Sequence, residues 1–342
     1  MITQDVRRAL ARAAAAEGFA PADPGLRPGG APGCYASSVA FRLADGDGDG
    51  RAPRDIAHLL AARLSEHSWL ARAEVSGPGF LALTVTTRTL AALPERIRAA
   101  GPACARSEVL SGVCVPAPPA ADLLMATGWE EARAALAAEL TGRLAAAAGA
   151  TVAVFGYPER RVAPPQRSLA VAGGDDGRFS GDVAAAVAFA GPDAVRFSLA
   201  RAVPGRAVRI DTGQIARHVA DNPAYAVRYA HARAASGMRW AATLAPEAVP
   251  RRLPADQGEL ALLDALSWLP ERVAVAARRG RPDEYARYLE ELASVTIATL
   301  SFARQSGSAR APGSDRLTVA GAAATGLAAG LGLLGVSAPD RL

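Results

Sequence analysis

The sequence predicts a multidomain chain, α+β at its start and all-α at its end, on three observations. Residues 1–98 mix helical and strand patterns, residues 105–204 hold one strand–helix–strand unit, and residues 205–342 carry helical periodicity throughout. With 342 residues, 50% of them hydrophobic, the chain is long enough for two or three cored domains.

In the first segment a helix is expected over Val6–Glu17, where charges alternate with Ala at helical spacing. A Pro/Gly-rich loop leads to a short strand at Ser37–Arg42 and a helix at Pro53–Glu66 that opens on proline. A strand at Ala71–Val75, a GPGF turn at Gly77–Phe80, a strand at Leu81–Thr86 and a helix at Leu90–Ala99 complete a small α+β domain. The second segment reads as a strand at Gly112–Pro116, an Ala-rich helix at Trp129–Ala148 and a strand at Val152–Gly156. This is a βαβ unit, the smallest piece of a nucleotide-binding sheet. In the third, ELALLDALSWLPERVAVAARR and DEYARYLEELASVTIATLSFARQ place apolar residues at i, i+3, i+4 and i+7, the pattern of a helical bundle.

All 38 basic residues are Arg, against 33 acidic ones, for a net charge of +5. From Gly205 to Leu342 there are 17 Arg and 13 acidic residues, so four of the five excess charges lie where a polyanion would be drawn. Cys34, Cys104 and Cys114 are odd in number and lack CxxC spacing, which argues against a disulfide framework or a zinc site and fits a reducing cytoplasm. The N-terminus lacks the uninterrupted apolar core of a signal peptide. The Ala/Gly/Leu-rich stretch Val319–Val336 is nearly long enough to span a bilayer, but its Gly content and weak hydrophobicity suit a packed final helix, so no membrane partner is expected.

Several motifs that suggest chemistry fail on spacing. DGDGDG, Asp45–Gly50, begins like a calcium loop, but the closing carboxylate position is Ile56. GGDDGRF, Gly173–Phe179, has neither GxGxxG nor P-loop spacing, and a chain without Lys has no P-loop cation. His58, His67, His218 and His231 form no metal or triad pattern. No cofactor, metal or catalytic residue is therefore expected. DNPAYAVRYAHARAAS, Asp221–Ser236, is different: Tyr225, Tyr229, Arg228 and Arg233 recur at three- and four-residue spacing on one helix. Such a surface can meet bases and phosphates, or can be half-buried packing with hydroxyls at the rim.

DAVRFSLAR (Asp193–Arg201), DNPAYAVRYAHAR (Asp221–Arg233), YARYLEELAS (Tyr285–Ser294) and GLGLLGVSAPDRL (Gly330–Leu342) resemble, in order, the DALR anticodon-binding domain of arginyl-tRNA synthetases. YASSVAF at Tyr35, APRDIAHLLAARL at Ala52 and AEVSGPGFLALTV at Ala73 resemble the same family's N-terminal additional domain. The resemblance implies three domains: an additional-like domain at 1–98, a shortened Rossmann-like catalytic remnant at 105–204 and a DALR-type bundle at 205–342. It implies tRNA as partner, expected to be tRNA-Arg, met by Arg206, Arg209, Arg217, Asn222, Tyr225, Arg228, Tyr229, His231 and Arg233. Tyr35, Ser38 and Phe80 would lie on the D-loop side, although Ala82 and Ser38 replace the polar residues the family places there. The family's HIGH motif would fall at Gly128, Trp129, Glu130 and Glu131, and its KMSKS loop at Val171–Phe179 with Asp175 and Asp176. Carboxylates in both places repel ATP phosphates, so a cytoplasmic, tRNA-binding protein that is not an enzyme is expected. The alternatives are an interaction subunit for another protein, or a residual arginine–tRNA ligase or arginyl-tRNA-using enzyme.

Overall fold

The computed structural model describes residues 1–46, 50–117, 120–154, 182–244, 257–301 and 314–342. The elements in the first part of the chain are α1 (Ile2–Ala16), β1 (Arg27–Pro28), β2 (Cys34–Ser37), α2 (Val39–Asp45), α3 (Pro53–Leu64), β3 (Leu70–Ser76), β4 (Phe80–Val85), α4 (Thr87–Ala91) and α5 (Leu93–Ala100). Next come β5 (Cys114–Ala117), α6 (Trp129–Ala147), β6 (Thr151–Val154), α7 (Val183–Ala190), α8 (Pro192–Arg201) and α9 (Thr212–Ile215). The chain continues through α10 (Pro223–Leu244), α11 (Gln257–Ser267), α12 (Leu269–Arg279), α13 (Pro282–Ser301) and α14 (Ser314–Leu334). Two compact units result. One comprises Met1–Cys104, Ala234–Glu271 and Val295–Gly326; the other comprises Ala105–Arg233, Arg272–Ser294 and Leu327–Leu342.

In the first unit an antiparallel sheet runs in the order β1-β2-β4-β3, with Tyr35 opposite Leu83 and Val75 opposite Leu81. Alternation along β2 and β4 buries Tyr35, Ser37, Leu81, Leu83 and Val85 on one face and leaves Ala36, Ala82 and Thr84 on the other. α3 supplies Ile56, Leu60 and Leu64 to the core, and α1 supplies Ile2, Val6 and Leu10. Ile56, at the position a calcium loop would close with a carboxylate, is fully buried; residues 47–49 of that acidic turn lie outside the described residues.

The strand expected at Ser37–Arg42 is corrected. The strand is Cys34–Ser37, and α2 begins immediately after it. Val39, Ala40 and Leu43 are the buried positions of α2, and Val39 N–H is held by Ser37 Oγ at 3.2 Å. The helix expected at Leu90–Ala99 is two: Thr86 caps α4 through Thr89 N–H, and Pro94 opens α5.

Residues far apart in sequence close this unit. Arg7 Nε donates to Glu271 Oε2 at 2.6 Å and Arg7 Nη2 to Glu271 Oε1 at 2.5 Å, while Arg7 Nη1 reaches Asp23 at 3.0 Å. Burial pushes the Arg7 guanidinium down, but its bonds to Glu271 and the charges of Glu271 and Asp23 more than offset this and raise it. Tyr35 and Ser267 share a hydroxyl hydrogen bond at 2.8 Å, the Tyr35 ring lies 5.2 Å from that of Trp268, and Thr3 donates to the Ser267 carbonyl. Gly33 N–H donates to Asp264 at 2.9 Å.

In the second unit β5 and β6 are parallel, with Val115 opposite Val152, and α6 packs on both, as the βαβ reading expects. α6 also packs on α8, through Glu139, which is buried and bonded to Arg196. α14 ends at Gly335, whose φ of +68° lets Val336 N–H return to the Leu331 carbonyl. A Cβ there would sit 2.6 Å from Arg196 Nε, so the left-handed turn and the close approach both require glycine. The window Leu317–Leu334 is apolar and long enough to cross a membrane, and 67% of it is buried within the protein.

Replacing Arg7 by Met leaves the buried Glu271 unpaired and should destabilise the first unit by about 3–5 kcal/mol in urea denaturation, with an Arg7→Met/Glu271→Leu double variant recovering most of the loss. Asp283 gives an acid-side prediction. Burial pushes its carboxyl up, yet hydrogen bonds from Arg281 and Arg287 hold it below its ordinary value. Its contribution is therefore complete above about pH 4 and is lost as pH falls below that. Asp283→Asn should flatten this part of the stability profile.

Candidate nucleic-acid interface

The helix start quoted for its rings is built by one buried amide. Asn222 Oδ1 accepts from Ala224 N–H at 3.2 Å, and Nδ2 donates to the carbonyls of Ile215 and Arg217 at 2.7 and 2.8 Å. This cap sets the first turn of α10, where Pro223 needs no amide partner, and also pins the segment leaving α9. Asp211 caps α9 itself through Gln214 N–H at 3.0 Å.

The fold of that segment brings three rings into a ladder. His218 stacks on Tyr225 with centroids 5.2 Å apart and planes 10° apart, and Tyr225 stacks on Tyr229 at 5.7 Å and 17°. Tyr229 is 36% exposed, and His218 is exposed. The i, i+4 spacing of the two tyrosines anticipates half of this ladder. His218 is the member that spacing missed; the signal was its place in the loop just ahead of the capping Asn222. Arg206, Arg209 and Arg217 are exposed in the same unit, and Arg233 is half-buried.

Three residues expected to meet RNA are used internally. Asn222 is 2% exposed and spends its polar atoms on the cap. His231 is buried, with Nδ1 3.0 Å from the Pro339 carbonyl. Arg228 Nη2 donates to Ser337 Oγ at 3.2 Å and lies 3.4 Å from Asp193, which itself holds Ser337 N–H at 3.1 Å. His231 and Arg228 thus hold the chain's last residues against α10.

On the expected D-loop side, Tyr35 is 1% exposed and its phenol is taken by Ser267, so its role is in the core. Burial is the main cause pushing that phenol well above its ordinary value. Ser38 is the half-buried N-cap of α2. Phe80 is 42% exposed and packs on Phe41 at 4.8 Å.

At the position expected for the HIGH motif, Gly128 caps α6 and both carboxylates of the first turn are occupied. Glu131 accepts from Thr127 N–H at 2.8 Å and from the Thr127 hydroxyl, which holds its carboxyl below the ordinary value. Glu130 accepts from Val208 N–H at 2.8 Å and pairs with Arg133 at 2.7 Å. The expected KMSKS position, Val171–Phe179 with Asp175 and Asp176, lies outside the described residues.

The described residues form a mixed α+β start followed by a helix-rich segment that carries the ring ladder and exposed guanidiniums. The family model "DALR anticodon binding domain" matches residues 227–342, and "Arginyl tRNA synthetase N terminal domain" matches residues 1–85. Among curated proteins, arginine–tRNA ligase of Frankia alni is 38% identical over 160 residues, covering 44% of this chain and 29% of that protein. The Kineococcus radiotolerans ligase is 38% identical over 159 residues with the same coverage. The chain thus spans under a third of the length of these relatives. Thermus thermophilus arginyl-tRNA synthetase has the same fold, with a TM-score of 0.70 at 15% identity over 100% of both chains. Over residues 1–85 and 227–342 the chain is similar to the arginyl-tRNA synthetase family.

Asn222→Ala should cost about 1–2 kcal/mol in chemical denaturation, because a cap and two carbonyl partners are lost together. Asn222→Asp, which keeps the cap acceptor but turns a buried carboxylate oxygen onto the two carbonyls, should cost more than Asn222→Ala at neutral pH.

Proposed function

We propose that this chain binds tRNA, with tRNA-Arg the expected species, through its C-terminal DALR segment (205–342), and that it does not aminoacylate tRNA. The observation that carries the reading is the His218–Tyr225–Tyr229 ladder. Three near-parallel rings beside exposed Arg217 offer stacking for unpaired bases and charge for phosphates, the two contacts that single-stranded RNA needs. Arg206, Arg209 and Arg217 serve as phosphate contacts and Arg233 as a partial one; Phe80, on the N-terminal segment (1–98), is a further exposed ring.

The absence of ligase activity is supported by the first turn of α6 in the middle segment (105–204). A helix N-terminus attracts phosphate through free amides and positive dipole; here Glu130 and Glu131 place negative charge on that end. The curated relatives are named arginine–tRNA ligases, so ATP-dependent arginylation is the activity to exclude. A second reading, an interaction subunit working in the cytoplasm, draws on Asn222, Arg228 and His231 being committed to the protein's own structure.

Affinity capture of the tagged protein from its host at physiological salt, followed by sequencing of bound RNA, tests this. Enriched tRNA-Arg that falls at least tenfold in a folded Tyr225→Ala/Tyr229→Ala variant is the expected result. A co-purifying protein without RNA would favour the interaction subunit, and arginylation of tRNA by the pure protein would overturn the non-enzyme reading.

A further inference from the structure

The geometry points to a positioning role for Glu130 and Arg133: together they brace the basic loop 202–211 so that Arg206 and Arg209 are held ready for a polyanion. This rests on the tRNA-binding reading above. The loop leaves α8 and reaches α9 without helix or strand of its own, turning at Gly205 with φ of +77°. Its backbone is instead fixed from α6. Arg133 Nη1 donates to the carbonyls of Val203 and Arg206, each at 3.0 Å, and Arg133 Nη2 pairs with Glu130 Oε2 at 2.7 Å. The other carboxylate oxygen, Glu130 Oε1, accepts from Val208 N–H at 2.8 Å.

One ion pair therefore grips the chain on both sides of Arg206 and just ahead of Arg209. Both guanidiniums point from a backbone that is already ordered, and both are exposed. Arg133 is largely buried while Glu130 is not, with side-chain exposures of 17% and 57%. The planar fork of Arg133 suits the task, since one terminal nitrogen serves two carbonyls while the other meets a carboxylate; a lysine ammonium has no such geometry. A loop ordered before binding loses less conformational entropy when its arginines close on phosphates, so bracing raises affinity without touching the ligand.

Charge alone predicts the opposite effect for one variant, which makes the inference testable. Glu130 is a negative charge beside a basic loop, so Glu130→Ala should tighten polyanion binding if only Coulomb attraction matters. If the brace matters, Glu130→Ala weakens it. Arg133→Lys keeps the charge and removes the fork, isolating geometry.

The experiment is a titration of a tRNA-Arg transcript with the full chain across salt concentrations, with trypsin cleavage after Arg206 and Arg209 measured in parallel on the free protein. Glu130→Ala and Arg133→Lys should each weaken binding about tenfold, lower the slope of log K against log salt by about one to two, and speed cleavage at the loop. Arg206→Gln/Arg209→Gln should weaken binding similarly, and adding Glu130→Ala to it should produce no further loss. Wild-type affinity and slope in Glu130→Ala, or tighter binding, overturns the brace while leaving tRNA binding intact, and so does unchanged trypsin cleavage. A wild-type chain that does not bind the transcript overturns the tRNA-binding reading, and with it this role.

Discussion

The Arg7–Glu271 pair is the constraint on which the first unit depends. Taking a guanidinium and a carboxylate out of water costs several kcal/mol per ion, and only near-ideal geometry returns it. Here two parallel N–H···O bonds of 2.6 and 2.5 Å, with Asp23 on the remaining arm, satisfy the fork. That geometry exists only when α1 and the start of α12 are in register, so the pair specifies the arrangement more than it strengthens it. Tyr35, Ser267 and Thr3 repeat the logic alongside: the Ser267 hydroxyl and carbonyl each take a partner from the N-terminal 40 residues. Burial of aromatic and aliphatic surface supplies the driving force, and these polar contacts select which surfaces meet.

The same selectivity explains what could be read in the sequence. α3, α6 and α13 are legible to within a few residues because their apolar periodicity is a local fact, whereas ELALLDALSWLPERVAVAARR, one periodic stretch in the sequence, divides into α11 and α12 at Trp268. β3 and β4 were legible because the GPGF turn joins two alternating runs. The stretch YASSVAF misled, since Tyr35, Ser37, Val39 and Phe41 alternate like a strand while Val39, Ala40 and Leu43 form the buried stripe of a helix; the packing of α2 against α3 decides in favour of the helix. At the site, the tyrosine spacing announced the stack on α10. The fates of Tyr35, His231 and Arg228 did not show, because the groups that consume their polar atoms, Ser267, Pro339 and Ser337, are more than 100 residues away in sequence.

Rings and guanidiniums crowd the start of α10 for two different reasons, and burial separates them. Asn222 and His231 are buried and matched by backbone partners, as a buried polar group must be to avoid a desolvation penalty of about 1–3 kcal/mol, and the half-buried Arg228 is tied by Nη2 to Ser337. Tyr225, Tyr229 and His218 are held by one another, leaving Tyr229 and His218 open to solvent. The inward set makes the outward set rigid. Without the Asn222 bonds to Ile215 and Arg217, nothing in the cap would place His218 over Tyr225.

Following the backbone from Val203 to Tyr225 shows how little of it is left to chance. Arg133 and Glu130 hold 203, 206 and 208, Asp211 holds the start of α9, and Asn222 holds 215 and 217 before capping α10. Each fixing point is a side chain bonded to main chain, so each survives changes in the exposed side chains between them. Arg206, Arg209, Arg217 and His218 are consequently free to vary in chemistry without loss of the scaffold, while the fixing residues are not. A surface built this way can exchange one anionic ligand for another by substitution of its exposed residues alone, and the carboxylates at the start of α6 are part of that scaffold because they are bonded to it.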